Sequence, residues 1–361
     1  MPHKPILIMA GGTGGHVFPA LAVAHFLRQR GIPLLWLGTG AGMESRVVPE
    51  NGYPLLTITI SGLRGKGLRR WLVAPIIVVV ALVQALWILV QHKPAAVLGM
   101  GGFVSGPGGI ASWMLRIPLC IHEQNAIAGL TNRLLAPLAH TIMEGFPGTF
   151  APRYRAKNTG NPVRPDILNV AVPESRLHPD TGAALKILVI GGSQGALTLN
   201  ETVPRAVSLL PERVRVAIRH QTGRDHLEAT RILYGALPCQ VELTPFIEDM
   251  AEAYCWADLV ICRAGALTIA ELAAVGIASI LVPFPHAVDD HQTVNARYLS
   301  ERGGALRLVE SELTGERLAR VLAEFYDARP RLLAMARQAR ALAKPEATRL
   351  VAELCLEAAC A

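Results

Sequence analysis

A short apolar run, a turn made largely of glycine and a helical stretch follow one another twice in this chain, half its length apart. The first passage is Ile6-Leu7-Ile8-Met9-Ala10 leading into Gly11-Gly12-Thr13-Gly14-Gly15-His16, with a helical pattern over 19–30 and a stop at Gly31. The second is Ile187-Leu188-Val189-Ile190 leading into Gly191-Gly192-Ser193-Gln194-Gly195-Ala196, with a helical pattern from near Leu199. Strand, glycine turn and helix make half of a Rossmann-type unit, so the repeat predicts two similar α/β domains in tandem. A chain of 361 residues is long enough to give each its own core.

A third glycine-rich turn, Gly99-Met100-Gly101-Gly102-Phe103-Val104-Ser105-Gly106-Pro107-Gly108-Gly109, follows the apolar run Ala95-Ala96-Val97-Leu98. The breaker-dense segment Gly160-Asn161-Pro162-Val163-Arg164-Pro165 reads as the linker. We therefore expect one domain over 1–163 and a second over 164–344, with the helical tail 345–361 packing back on the first.

Glycine at a strand-to-helix turn lets backbone approach a ligand, and the helix start offers free N–H groups to phosphate. None of the three turns is a dinucleotide fingerprint. Val17 stands where a third small residue belongs, and Leu34-Leu35-Trp36-Leu37-Gly38-Thr39 ends without a ribose-binding carboxylate. No Gly-x-x-x-x-Gly-Lys-Ser/Thr segment is present, so a P-loop ATPase has no support. A further cluster, Arg263-Ala264-Gly265-Ala266-Leu267-Thr268-Ile269-Ala270-Glu271, follows the apolar run Leu259-Val260-Ile261-Cys262. Glu271 can accept from both hydroxyls of a ribose. Thr268-x-x-Glu271 is equally a capping-box pattern, and spacing leaves both readings open.

The net charge of +7 calls for an anionic partner: nucleic acid, a membrane surface or a phosphorylated substrate. With 5% aromatic residues and no RNA-binding motif, nucleic acid is the poorest fit. Six cysteines without a Cys-x-x-Cys pair or zinc spacing fit a reduced compartment. The opening apolar run is too brief for a signal peptide, which points to the cytosol.

Five segments in order carry a resemblance: the turns at Gly11, Gly101 and Gly191, the tetrad His122-Glu123-Gln124-Asn125, and the run from Ala264 to Glu271. Together they resemble the MurG family of bacterial cell-wall N-acetylglucosaminyltransferases across essentially the whole chain. The resemblance implies a GT-B architecture, two Rossmann-like domains with parallel sheets facing a central cleft, acceptor on the N-terminal side and nucleotide-sugar on the C-terminal side. It implies inverting transfer of N-acetylglucosamine from UDP-N-acetylglucosamine to the C4 hydroxyl of the muramoyl unit of lipid I, forming lipid II. No cofactor is implied; no Asp-x-Asp motif is present and no metal is expected. Also implied are a place at the cytoplasmic face of the inner membrane and contact with other cell-wall synthesis proteins.

Carried onto this sequence, Thr13, Gly14 and Gly15 would face the donor and Asn125 would touch its sugar. Arg164 and Ser193 would meet the donor phosphates, and the backbone of Ile247 would read uracil. Ala266, Leu267, Thr268, Ile269, Ala270 and Glu271 would hold sugar, phosphate and ribose, with Glu271 on the ribose hydroxyls. Gln292 would contact sugar hydroxyls. His16 is the candidate general base, since an imidazole accepts a proton near neutral pH; the alternative is that it supports the loop or binds the acceptor diphosphate. Two rivals stay open: another enzyme of this architecture, such as a glycolipid glycosyltransferase or a UDP-N-acetylglucosamine epimerase, and a silent sugar-nucleotide-binding subunit.

Residues 71–90 carry no charge, long enough to cross a bilayer. They lie between runs at 55–60 and 95–98 that belong in one sheet, which a span would separate. We expect a helix that covers the sheet and dips its outer face into lipid, with Arg64, Lys66, Arg69 and Arg70 drawn to anionic headgroups.

Overall fold

The computed structural model describes residues 4–60, 67–177, 182–192, 194–235 and 237–360. The chain divides into two units, Met1–Arg164 with Pro345–Ala361, and Pro165–Lys344. Arg164 thus closes the first unit.

In the first unit β1 (Ile6–Met9), β2 (Leu34–Gly38), β3 (Leu55–Thr57), β4 (Ala96–Gly99), β5 (Leu119–Glu123), β6 (Thr141–Glu144) and β7 (Lys157–Asn158) form one parallel sheet in the order β3-β2-β1-β4-β5-β6-β7. Alternate residues of β1 serve opposite faces, as a period of two requires. Ile6 and Ile8 pack with helices Gly14–Gln29 and Ala347–Cys360. Leu7 and Met9 pack on the other side with Ala81, Ala85, Ile88 and Leu89 of helix Gly67–His92. Burial on both faces is why these strands read as unbroken apolar runs. Each such side chain contributes about 1.5–3 kcal/mol when fully removed from water.

The second unit repeats the plan. Strands β8 (Leu185–Ile190), β9 (Val216–Gln221), β10 (Gln240–Thr244), β11 (Leu259–Cys262), β12 (Ala278–Leu281) and β13 (Leu306–Arg307) are parallel in the order β10-β9-β8-β11-β12-β13. In each sheet the strand order reverses beside the first strand, between β1 and β4 and between β8 and β11. Ligands of open α/β sheets bind outside the carboxyl ends of the strands at that reversal. The three glycine-rich turns and the cluster beginning at Arg263 all lie there: the turns after β1 and β4 in one unit, and the turn after β8 and the cluster after β11 in the other.

Helix Gly67–His92 connects β3 to β4 and lies on the sheet, as expected of a crossover rather than a span. Its inner side is closed, Ala81 being 0% exposed, while Ile76, Val79, Val83, Trp87 and Val90 stand outward, with Trp87 65% exposed. Gln84, the one amide in this apolar stretch, accepts from Thr59 N–H at 2.7 Å and so ties the helix to the chain leaving β3. Residues Arg64 and Lys66 lie outside the described residues; Arg69 and Arg70 fall in the first turn of this helix.

Candidate active site

In the first unit the turns after β1 and β4 close on each other. Gly102 has φ +85°, open to glycine, and a Cβ there would collide with the Gly11 carbonyl. The Ser105 hydroxyl donates to Gly101 O at 2.9 Å, folding the second turn onto the start of helix Ser105–Met114. Beneath the first turn sits Glu44, buried, accepting from Gly12 N–H, Thr39 N–H (both 2.9 Å) and the Thr39 hydroxyl (2.7 Å). Burial alone would raise its carboxyl, but these donors more than offset that and hold it below the usual carboxylate range. Glu44 follows β2 by six residues and turns back to the glycine loop, so it supports backbone and is spent before any ribose could use it.

Thr13 is the N-cap of helix Gly14–Gln29, and its side chain makes no cap bond to that helix. Gly14, Gly15 and His16 form its first turn. The His16 ring rests on the α-carbon of Gly101, where any side chain would displace it, and its Nδ1 lies 3.4 Å from the Thr13 hydroxyl. Burial lowers the imidazole's pKa, against the opposing attraction of Glu123 and Glu44. Burial thus favours the neutral form of His16.

Asn125 is placed by a buried carboxylate. Glu123, at the end of β5, accepts from Asn125 N–H (3.0 Å), its amide (3.2 Å), Gly129 N–H (3.0 Å) and the Asn132 amide (2.9 Å). His122 is fully buried between Gly160 O and the Gln124 amide, and burial pushes its pKa down to about 4. Only Asn125 of the tetrad His122-Glu123-Gln124-Asn125 is left partly exposed, and Glu123 holds it. Arg164 stacks on Phe18 of helix Gly14–Gln29, with 5.9 Å from guanidinium to ring centre.

In the second unit Gly195, at φ +79°, lies against Thr222, and a Cβ there would collide with the Thr222 carbonyl. Ser193 lies outside the described residues. Helix Leu197–Ser208 starts from Ala196 and helix Ala266–Val275 from Gly265, neither with a side-chain cap. Two helices elsewhere are capped by their own side chains, Asp249 on Glu252 N–H and Thr314 on Arg317 N–H. The capping-box reading of Thr268 and Glu271 is thereby corrected: Gly265 is the N-cap, so Thr268 is the third helical residue and Glu271 the sixth, beyond reach of the helix start. Ala266, Leu267, Thr268, Ile269, Ala270 and Glu271 run from the helix start into its second turn, and the Glu271 carboxylate accepts from the Tyr254 hydroxyl at 3.0 Å.

Gln292, in the first turn of helix His291–Ser300, accepts through Oε1 from Ala264 N–H (3.2 Å) and Phe284 N–H (3.0 Å), which joins it to the turn after β11. Ile247 lies in the loop after β10, its N–H donated to Gln221 Oε1 at 3.0 Å. Sequence reasoning missed Glu44, Gln221 and Tyr254 because each acts on a partner 17 to 32 residues away.

Residues 6–144 match the glycosyltransferase family 28 N-terminal domain and residues 186–351 its C-terminal domain. The UDP-N-acetylglucosamine–N-acetylmuramyl-(pentapeptide) pyrophosphoryl-undecaprenol N-acetylglucosamine transferase of Alkalilimnicola ehrlichii is 55% identical over 357 residues, covering 98% of this chain and 99% of that one. The enzyme of the same name from Nitrosococcus oceani is 54% identical over 98% of each chain. The crystal structure of Acinetobacter baumannii MurG superimposes with a TM-score of 0.84 at 43% identity, covering 98% of this chain and 99% of that one. At 12% identity, UDP-GlcNAc 2-epimerase from Neisseria meningitidis (TM-score 0.67, 98% and 100% covered) shares the fold alone. With both halves matched in order and more than half the residues shared with the Alkalilimnicola and Nitrosococcus transferases, the chain belongs to the MurG family of glycosyltransferase family 28.

Proposed function

We propose that this glycosyltransferase moves N-acetylglucosamine from UDP-N-acetylglucosamine to the C4 hydroxyl of undecaprenyl-diphosphate-N-acetylmuramoyl-pentapeptide, forming lipid II in peptidoglycan synthesis. One observation carries the reading. Each unit presents, at the reversal of its sheet, glycine turns and helix starts that no side chain caps among the described residues, and both substrates of this reaction are diphosphates. The names of the relatives supply the same pair of substrates.

On the acceptor side, the turn at Gly101 and the start of helix Ser105–Met114 take the lipid diphosphate. His16 is the base: in the tautomer whose Nδ1–H faces the Thr13 hydroxyl, Nε2 carries the lone pair that removes the C4 proton. Its lowered pKa keeps it in the accepting form at neutral pH. On the donor side, the starts of Leu197–Ser208 and Ala266–Val275 stabilise the departing UDP, with Ser193 and Arg164 on the phosphates and Glu271 on the ribose. Since the Ile247 N–H is engaged by Gln221, its carbonyl is the group that meets the N3–H of uracil. Asn125 and Gln292 face the sugar. Charge leaving with the diphosphate is met by these N–H groups and the Arg164 guanidinium, so no metal is required.

The enzyme works as a peripheral protein at the cytoplasmic membrane face. The outward apolar row of helix Gly67–His92 enters the lipid, and Arg69 and Arg70 meet anionic headgroups.

The test is a transfer assay with labelled UDP-N-acetylglucosamine and a short-chain lipid I analogue, with and without a chelator. Lipid II analogue of inverted anomeric configuration, formed equally with chelator, supports the reading. Donor hydrolysis without transfer overturns the acceptor assignment, and loss of turnover on chelation overturns the metal-free one.

A further inference from the structure

We propose that Gln221 is a positioning residue that fixes the diphosphate turn and the base-reading loop of the donor site at one separation, so that a uridine diphosphate is recognised as a unit. The inference rests on the donor-site reading above. Gln221 ends β9 and is 2% exposed. Its amide N–H donates to Gly192 O, in the turn after β8, at 2.7 Å. Its amide oxygen accepts from Ile247 N–H, in the loop after β10, at 3.0 Å. One side chain thus reaches loops on both sides of its own strand. The orientation of the amide is forced, because Gly192 presents a carbonyl there and Ile247 an N–H.

The strand end that carries Gln221 is itself pinned. His220 is buried between Asn200 Oδ1 and the Tyr234 hydroxyl, each at 3.0 Å, and the Asn200 amide donates to Thr222 O at 2.9 Å. Thr222 N–H donates to Thr244 O at 3.0 Å. Gly192 O accepts a second bond, from Gly195 N–H, at 3.0 Å, which closes the turn that Gln221 holds. Gln221 is therefore a rigid bracket, and the separation it imposes is inherited by whatever binds both loops.

A ligand that spans two sites gains affinity over its halves only while the sites keep the spacing of the ligand. Removing the bracket should cost the whole nucleotide much more than either half. Gln221→Met keeps the length and packing of the side chain and removes both bonds. We expect it to weaken UDP by about 10-fold or more, while uridine and inorganic diphosphate, titrated separately by calorimetry, each change by less than about 3-fold. In the transfer assay the donor KM should rise with kcat at saturating donor nearly kept. Gln221→Glu, which still accepts from Ile247 but sets a carboxylate against Gly192 O, should not restore UDP affinity. If Gln221→Met melts below the assay temperature, Gln221→Asn, too short to reach both loops, gives the same three titrations. Unchanged UDP affinity, or equal losses for UDP, uridine and diphosphate, would overturn the bracket. Failure of the unaltered enzyme to bind UDP would instead overturn the donor-site reading beneath it.

Discussion

Tyr254 donates its hydroxyl to Oε2 of Glu271 at 3.0 Å, and both side chains are buried at the end of the second sheet. The bond fixes a carboxylate that has no part in starting its own helix. Glu271→Gln should raise the KM for UDP-N-acetylglucosamine by about 10-fold or more, with kcat affected less. Tyr254→Phe removes one neutral donor and should cost about 2- to 10-fold in the same constant. Steady-state kinetics at varied donor decides it: a Glu271→Gln enzyme with ordinary donor KM has no ribose contact there.

His16→Ala should lower kcat by roughly 10²–10⁴ with the donor KM nearly unchanged. Because burial lowers its pKa, the acidic limb of the kcat profile should fall below 6.5, and the substitution should abolish it. A variant that keeps the limb and loses only acceptor affinity makes His16 a diphosphate ligand.

His122 makes acid stability its readout. Its pKa is about 4 when folded and about 6.5 when unfolded, so the unfolded chain binds more protons between those values. Stability is full above about pH 6.5, declines as pH falls toward 4, and the total loss from this one group is roughly 3 kcal/mol. Denaturant titrations of His122→Gln, which can still bond Gly160 O, should show a flatter decline over that window. An unchanged slope would mean that His122 titrates elsewhere.

Glu44→Gln should loosen the first glycine turn, because an amide cannot accept from Gly12 and Thr39 with both of its ends. The cost is about 1–3 kcal/mol of stability at neutral pH. The folded carboxyl is held below its ordinary 4.5, so this contribution is present above 4.5 and fades as pH falls through the lower folded value. Comparing the melting of variant and parent at pH 7 and at pH 3 checks both statements; equal differences at the two values would remove the charge from the account.

Trp87→Glu combined with Val83→Glu should weaken binding to anionic vesicles and slow turnover of bilayer-embedded acceptor, leaving a short-chain soluble acceptor unaffected. Reversing Arg69 and Arg70 should do the same in a salt-dependent way. Cosedimentation and the two assays together separate docking from catalysis, and equal losses on soluble and embedded acceptor count against docking.

Strands β1, β4, β8 and β11 were legible because burial on both faces leaves an unbroken apolar run, and the turns after them because glycine is conspicuous. Helix starts were less so. The helix expected from 19 begins at Gly14 and the one expected near 199 begins at Leu197, since glycine and threonine disguise a first turn. The run at 55–60 yields only Leu55–Thr57 of strand, its remainder turning off to meet Gln84. Glu271 was ambiguous because a ribose ligand and a cap have the same spacing, and the position of Gly265 removes the cap. Gln221 and Glu44 carry no local signal at all, because what each does depends on which loops the topology brings alongside.

The helix Ala347–Cys360 sits on the first sheet, with Val351, Ala352, Cys355 and Ala358 in its core, although the whole second unit intervenes. During synthesis the residues up to 164 must therefore wait, with an uncovered apolar face, until about 180 more have emerged. The second unit is continuous and can close first. Of the two, the half born earlier is finished last, and its apolar face stays open to misassembly for roughly ten to forty seconds at ordinary elongation rates.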